Sequence, residues 1–315
     1  MTSTENTDHN NWIAAAAQSL KTSPLPNSTM RLIHNGGNDI RCDRFGQVCW
    51  FYWHRTASPT QDTMRCFDEI RRRAGCQHWI ARSMNRFSSD PEQRKTWNSP
   101  QAPEKWKAQE HDITYLFYTN RGLSPGLFLD QRQNRRWVLS RAEGRKVLNL
   151  FAYTGSFGLG ANHVGASEVT HVDTSRRHLE WAAENCRENH LNLSQTEFVC
   201  VDARLFLQGC KRRRRLFDLI ICDPPSFSRN RKSVFQIERD LPEIIMNSVA
   251  VLAPAGQILV SCNYEKWTRL YFETVVADSL NNYGTSLHTA PKPDGDFELP
   301  GKERILKSTI ISRPS

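Results

Sequence analysis

Four short apolar runs between residues 147 and 228, each closing on a turn or a carboxylate, constrain this chain more than any other feature. The first, Val147-Leu148-Asn149-Leu150-Phe151, turns through Ala152-Tyr153-Thr154-Gly155-Ser156-Phe157-Gly158. The second, Glu168-Val169-Thr170-His171-Val172, ends at Asp173, and the third, Thr196-Glu197-Phe198-Val199-Cys200-Val201, ends at Asp202. The fourth, Phe217–Cys222, ends at Asp223-Pro224-Pro225-Ser226-Phe227. Runs of this length, with helix-sized gaps between them, describe a parallel sheet whose polar groups gather at one edge. In doubly wound sheets the carboxyl ends of the strands hold ligands. The fold class expected is therefore α/β, a doubly wound Rossmann-like sheet with a nucleotide-like ligand at that edge.

Around this device the organisation reads in three parts. Residues 1–28 are polar and end in Pro24-Leu25-Pro26-Asn27-Ser28, which predicts a flexible tail with one short helix around residues 12–17. Residues 29–124 alternate short strands and turns around a helix at 63–74, a small N-terminal α+β domain, with 88–108 read as a long loop. Residues 125–315 form the large α/β domain, with helices at 176–189, 237–252 and 268–281. Further strands are expected at 257–263, 286–288 and 305–312.

Composition bounds the function classes. No stretch approaches the ~20 apolar residues of a membrane helix. The start, Met1-Thr2-Ser3-Thr4-Glu5-Asn6, has neither the basic residues nor the apolar core of a secretory signal. Nine scattered cysteines without a CxxC pair argue against a zinc site or a disulfide framework, so a reduced, cytoplasmic setting without metal is expected. The net charge is +9, with arginine runs at 71–73, 132–136, 211–215 and 229–232. Any one such run is ordinarily a solvated surface. The last follows the Asp-Pro-Pro turn directly, so Arg229, Arg231 and Lys232 are expected to contact the phosphates of an RNA partner.

The glycine turn has the order G-x-x-G-x-G (Gly155, Gly158, Gly160), which is weak on its own because glycine also serves tight packing. Asp173 strengthens it, standing about 20 residues further at a strand end, where a carboxylate accepts ribose hydroxyls. Asp202 is suited to the exocyclic amine of an adenine. Each aspartate also has a plainer reading as a helix N-cap. There is no Gly-Lys-Ser/Thr phosphate cradle. A ligand with adenine and ribose but no phosphates is S-adenosylmethionine, whose sulfonium suits an acid-rich edge. In Asp223-Pro224-Pro225-Ser226-Phe227 the prolines fix φ and remove donors, while Phe227 offers a flat surface for a flipped-out base. An ordinary strand-ending turn is the plainer alternative.

With these motifs the chain resembles the bacterial 23S rRNA methyltransferases, class I S-adenosylmethionine enzymes. The resemblance rests on residues 147–157, on Val172-Asp173-Thr174-Ser175 and on Asp223-Pro224-Pro225-Ser226-Phe227. Gly126-Leu127-Phe128-Leu129-Asp130-Gln131-Arg132 adds the family's G-x-F-L-D-x-R entry hairpin, whose residues lie over the cofactor. The likeness is good over 113–265 and loose over 30–55. It implies a methyltransferase sheet, cofactor contacts from Phe128, Asp130, Arg132, Tyr153, Thr154, Gly155, Asp173, Asp202 and Asp223, and a large-subunit rRNA substrate. It further implies acceptor chemistry at Asp223, Pro224, Pro225 and Phe227. The family has two chemistries. In the cytosine-5 branch a cysteine in the position of Cys262 attacks the base, which here needs a cation such as Lys266 or Arg269 to stabilise the thiolate. In the guanine-N7 branch the nitrogen lone pair needs no such help, and Ser226-Phe227-Ser228 with Gln236-Ile237-Glu238-Arg239-Asp240 is closer to it. Cys262 as nucleophile and Cys262 as a small buried residue both stand at this point. Two rival functions remain: a methyltransferase of the same fold acting on a small molecule or protein, and a non-catalytic RNA-binding protein.

Overall fold

The computed structural model describes residues 3–21, 28–34, 39–84, 95–229, 234–280, 284–297 and 305–314. The chain divides into two compact units, the first running to Leu129 and regaining a short segment from Gly295, the second running from Asp130 to Asp294 and including the last strand.

The first unit opens with a helix, α1 (Ser3–Leu20), followed by strands β1 (Thr29–Ile33), β2 (Ile40–Phe45) and β3 (Val48–Trp53). Helix α2 (Gln61–Arg73) crosses to β4 (His78–Ser83), and β5 (Thr96–Asn98) and the hairpin β6 (Lys105–Glu110) and β7 (Ile113–Tyr118) complete it. The five-strand sheet has the order β1-β2-β3-β4-β5, with only β3 and β4 parallel, as the intervening helix requires. Thr60 caps α2, its side chain accepting from the Thr63 amide at 3.2 Å. Trp12 of α1 is buried and meets Trp53 edge-on, while Phe51 and Phe67 stack at 4.2 Å.

Two expectations are corrected here. The polar N-terminal segment is not a loose tail over 3–20 but an 18-residue helix. Its narrow apolar stripe, Trp12 and Ala16 one turn apart, is enough to seat it on the core. Residues 105–110 are strand rather than loop: Trp106, Ala108 and Glu110 are buried and their neighbours exposed, the period of two of a pleated surface. His111 and Asp112 both have positive φ, 52° and 63°, the two-residue turn that matches hairpin twist.

The second unit carries α3 (Arg132–Leu139), β8 (Lys146–Leu150), α4 (Ser156–His163), β9 (Glu168–Asp173), α5 (Arg176–Glu188), β10 (Thr196–Cys200) and α6 (Ala203–Arg213). It continues with β11 (Phe217–Cys222), the small hairpin β12 (Phe227–Arg229) and β13 (Val234–Gln236), α7 (Ile237–Ala250), β14 (Leu252–Cys262), α8 (Arg269–Asp278), β15 (Ser286–Thr289) and β16 (Lys307–Ser312). The seven-strand order is β10-β9-β8-β11-β14-β16-β15, parallel except at β16. Strand order reverses between β8 and β11, and at such a switch point the helices diverge to open a crevice at the carboxyl ends. The expected doubly wound α/β architecture is present, with its core between the sheet and its flanking helices, for instance Leu148, Ile220, Ile258 and Leu241.

Candidate cofactor and acceptor edge

After β8 the chain turns through three left-handed residues, Phe151 (φ 55°), Tyr153 (φ 48°) and Gly155 (φ 80°), before α4 begins. Side-chain-bearing residues occupy that region at a cost, so the turn is over-determined by its surroundings. Part of that surrounding is Asp173: its Oδ2 accepts from the Tyr153 amide at 2.9 Å and its Oδ1 from the Ser175 amide at 2.8 Å. Each carboxylate oxygen has two acceptor directions, so a rigidly held carboxylate keeps capacity for further donors. The N-cap of α5 is Ser175, not Asp173.

Tight packing, one of the two readings of the glycine pattern, accounts for Gly155 and Gly158. A Cβ at Gly158 would lie 2.3 Å from His171 Cε1, and one at Gly155 would lie 2.7 Å from Ala182 Cβ. His171 is wholly buried under the turn, stacked on Phe198 at 5.0 Å, with burial holding its pKa down at about 4. Thr154 is buried as well, and its carbonyl accepts from Asn185 Nδ2 at 3.0 Å.

Asp202 does cap α6, its Oδ1 accepting from the Arg204 amide at 2.9 Å. The Arg204 guanidinium returns to both Asp202 oxygens and reaches the buried Asp240, at 3.3 Å. Asp240 in turn accepts from the Gln236 amide at 2.8 Å and from Arg239 at 2.7 Å. A chain of charge-assisted hydrogen bonds thus joins the end of β10 to the hairpin that follows the Asp-Pro-Pro turn. The sequence marks Asp240 only as the end of the match over 236–240; its task as a hub of this network comes from its place in the first turn of α7, where an acid favours the helix N-terminus.

Asp223 lies at the end of β11, across the switch point. Its Oδ1 accepts from the Ser261 hydroxyl at 2.6 Å and from Gln131 Nε2 at 2.9 Å. Gln131 also donates to Ser261 at 3.1 Å and accepts from Asn134, which donates to Ser308 at 2.8 Å. Among the described residues, Oδ2 of Asp223 takes no hydrogen bond. Burial pushes the carboxyl up to about 6, opposed by the Ser261 and Gln131 bonds, while the Asp130 charge adds to the rise. Pro224 and Pro225 follow, and Phe227 stands 55% exposed. Gln131, between two residues singled out in the sequence, is the one that touches Asp223.

Cys262 is 0% exposed, its thiol pKa is raised by burial, and its sulfur accepts from the Tyr264 amide at 3.4 Å. The cations proposed to assist it are engaged otherwise: Arg269 pairs with Glu273 at 2.8 Å, and Lys266 lies 5.9 Å from the Tyr264 ring. The charges that act on the thiol are the buried Lys307, which lowers its pKa and is held by the Tyr264 and Trp267 carbonyls at 2.9 and 3.0 Å, and Asp223, which raises it.

Arg132 pairs with Asp294 at 2.7 Å, which gives a structural task to a loop residue the sequence left unassigned. Phe128 belongs to the first unit and is 47% exposed. Arg229 is the last residue of β12; Arg231 and Lys232 lie outside the described residues. Among the described residues no helix is long and apolar enough to cross a membrane, and all nine cysteines are free.

Comparison with known proteins bears on this edge. A ribosomal RNA large subunit methyltransferase K/L of Syntrophotalea carbinolica is 37% identical over 181 residues, 57% of this chain and 25% of that protein. A ribosomal RNA large subunit methyltransferase I of Aeromonas salmonicida is 33% identical over 176 residues, 56% of this chain and 44% of that protein. The matched segments thus span a quarter to under half of the length of these relatives. A methyltransferase crystallised with SAH superposes with a TM-score of 0.80 at 25% identity, covering 96% of this chain and 81% of that one. A SAM-dependent methyltransferase of Agrobacterium tumefaciens shares the fold, with a TM-score of 0.72 at 21% identity, over 93% and 92% of the two chains. The sequence model of S-adenosylmethionine-dependent methyltransferases matches residues 72–291. From the strand order, the switch-point edge and this match, the chain belongs to the S-adenosylmethionine-dependent methyltransferase family.

Proposed function

We propose that the chain methylates a base of large-subunit ribosomal RNA, at guanine N7 in preference to cytosine C5. The observation that carries the reading is the Asp223-Pro-Pro turn, where a carboxylate with one uncommitted oxygen is followed at once by the exposed Phe227 ring. A flat aromatic and a fixed acceptor are what a flipped-out base requires for stacking and edge recognition. The relatives named for large-subunit rRNA support RNA as the substrate class.

The residues of the edge fit the family cofactor. Asp173, held by two amides, offers its remaining acceptor directions to ribose hydroxyls. Tyr153, Thr154 and Gly155 form the turn against which the cofactor lies, and Asp130 and Asp223 supply negative potential for a sulfonium. Asp202, one strand away and held by Arg204, is the residue assigned to an adenine amine. When bound, S-adenosylmethionine supplies an electrophilic methyl group. The protein then has to hold the base: Phe227 stacks it, the two prolines fix the turn, and Asp223 accepts from a donor on the base edge. Arg229, Arg231 and Lys232 remain proposed contacts to RNA phosphates.

Cys262 supports guanine N7 over cytosine C5. Cytosine C5 becomes nucleophilic only after a thiolate adds to C6. The Cys262 thiol is buried, neutral and hydrogen-bonded to its own turn, so it suits packing rather than attack. Guanine N7 has an in-plane lone pair and needs no proton removed. The test is Cys262→Ala with an RNA carrying 5-fluorocytosine. Retained turnover and no stable protein–RNA conjugate are expected; loss of turnover together with a conjugate in the parent protein would transfer the reading to cytosine C5.

A further inference from the structure

A basic surface lies far from the transfer edge. Helix α6 begins at Asp202, beside the carboxyl end of β10, and its last turn carries Lys211, Arg212 and Arg213, followed by Arg214. The chain then enters β11 at its amino end, so these residues lie at the opposite edge of the sheet. Eleven helical residues at about 1.5 Å each put roughly 16 Å between the two ends of α6. Arg215 marks the place independently, because it pairs with Glu168 and Glu197 near the starts of β9 and β10.

Several other arginines of the chain are neutralised by acids. Arg71, Arg72 and Arg73 pair with Asp68 and Glu69, Arg132 with Asp294, and Arg239 with Asp240. Lys211, Arg212, Arg213 and Arg214 are all exposed, and among the described residues none has an acidic partner. Arg214 also stands in the left-handed region, φ 54°, as the C-cap of α6. Glycine is the favoured residue for that conformation, so Arg214 stands there against the local backbone preference. Basic residues do favour a helix C-terminus, and in α2 the three that do so, Arg71, Arg72 and Arg73, are paired with acids. Four unpaired cations in succession create a local positive potential suited to a polyanion.

We infer that Lys211, Arg212, Arg213 and Arg214 form a second phosphate-contact surface that engages RNA away from the methylated nucleotide. This rests on the RNA reading above and sharpens it. A ligand that reaches both edges must extend around at least one helix length, which excludes a mononucleotide and fits a folded RNA segment. The contact is to the backbone, so it adds affinity and orientation without sequence preference.

The test compares the parent protein with a variant carrying Lys211→Gln, Arg212→Gln, Arg213→Gln and Arg214→Gln. Binding of a folded large-subunit rRNA fragment is followed by anisotropy in 50 to 200 mM KCl, with S-adenosylmethionine affinity and melting temperature measured alongside. Each lost phosphate contact flattens the slope of log K against log salt by about 0.7–0.9, so a loss of about 3 is expected, with cofactor affinity unchanged. An unchanged slope in a variant that still methylates RNA overturns the inference alone. A lower melting temperature with an unchanged slope assigns the cluster to capping and also overturns it. Failure of the parent protein to bind or methylate RNA at any salt overturns both this inference and the function on which it rests.

Discussion

Replacing Asp223 with asparagine separates stability from activity. In the folded protein burial lifts this carboxyl from 3.8 to about 6. A carboxyl whose folded pKa is raised contributes stability that is complete below the unfolded value and is lost as pH rises through the folded one. At pH 7.5 the protein therefore carries the cost of an ionised, desolvated Asp223. Two units at about 1.36 kcal/mol each make that cost about 3 kcal/mol. Asparagine retains an oxygen for the Ser261 and Gln131 donors and carries no charge. Asp223→Asn should thus stabilise the protein by about 1–3 kcal/mol at pH 7.5 in urea unfolding, with the gain vanishing near pH 4. Methyl transfer should behave oppositely. In the parent kcat/KM should fall as pH drops through about 6, roughly tenfold per unit below it, because the acceptor carboxylate is titrated. The variant should show lower activity without that inflection. A variant no more stable than the parent at pH 7.5, or one that keeps the inflection, refutes the reasoning.

Further outcomes follow from single contacts. Asp173→Ala should weaken S-adenosylmethionine binding by about 1.5–3 kcal/mol in calorimetry, the scale of a lost charge-assisted hydrogen bond; unchanged affinity in a folded variant defeats the ribose assignment. Gly158→Ala places a Cβ 2.3 Å from His171 Cε1 and 2.9 Å from Val169 Cγ1, so overpacking should cost about 1–3 kcal/mol in urea unfolding. His171 is held neutral, with its pKa lowered from 6.5 to about 4, so the unfolded state binds the extra proton between those values. The stability involved is present above pH 6.5 and is lost as pH falls to 4, about 3 kcal/mol in all. His171→Phe should flatten that part of the pH–stability curve, and an unflattened curve would place the acid sensitivity elsewhere.

The sheet was legible because its strands carry the apolar runs and its turns carry the punctuation; Asp173 and Asp223 stand at strand ends in both sequence and structure. What was not legible depended on partners distant in the chain. Gly155 and Gly158 admit both a ligand turn and tight packing, and the neighbours that decide for packing, His171 and Ala182, stand more than ten residues on. Nothing local marks Gln131, between Asp130 and Arg132, as a glutamine whose partners are Asp223 and Ser261. Asp202 shows both readings at once, a helix cap that is also tied to Arg204. Cys262 could not be decided from a motif, since burial and hydrogen bonding, not spacing, set the state of a thiol.

Methyl transfer to RNA is tested most directly by incubating the purified protein with isotopically labelled S-adenosylmethionine and large-subunit rRNA from cells lacking it. The RNA is then digested and its labelled nucleosides identified by mass spectrometry. The account predicts label in 7-methylguanosine, lost with Asp223→Ala and retained with Cys262→Ala. Label in 5-methylcytidine would contradict the assignment of the base, and label in no nucleoside would contradict RNA as the substrate.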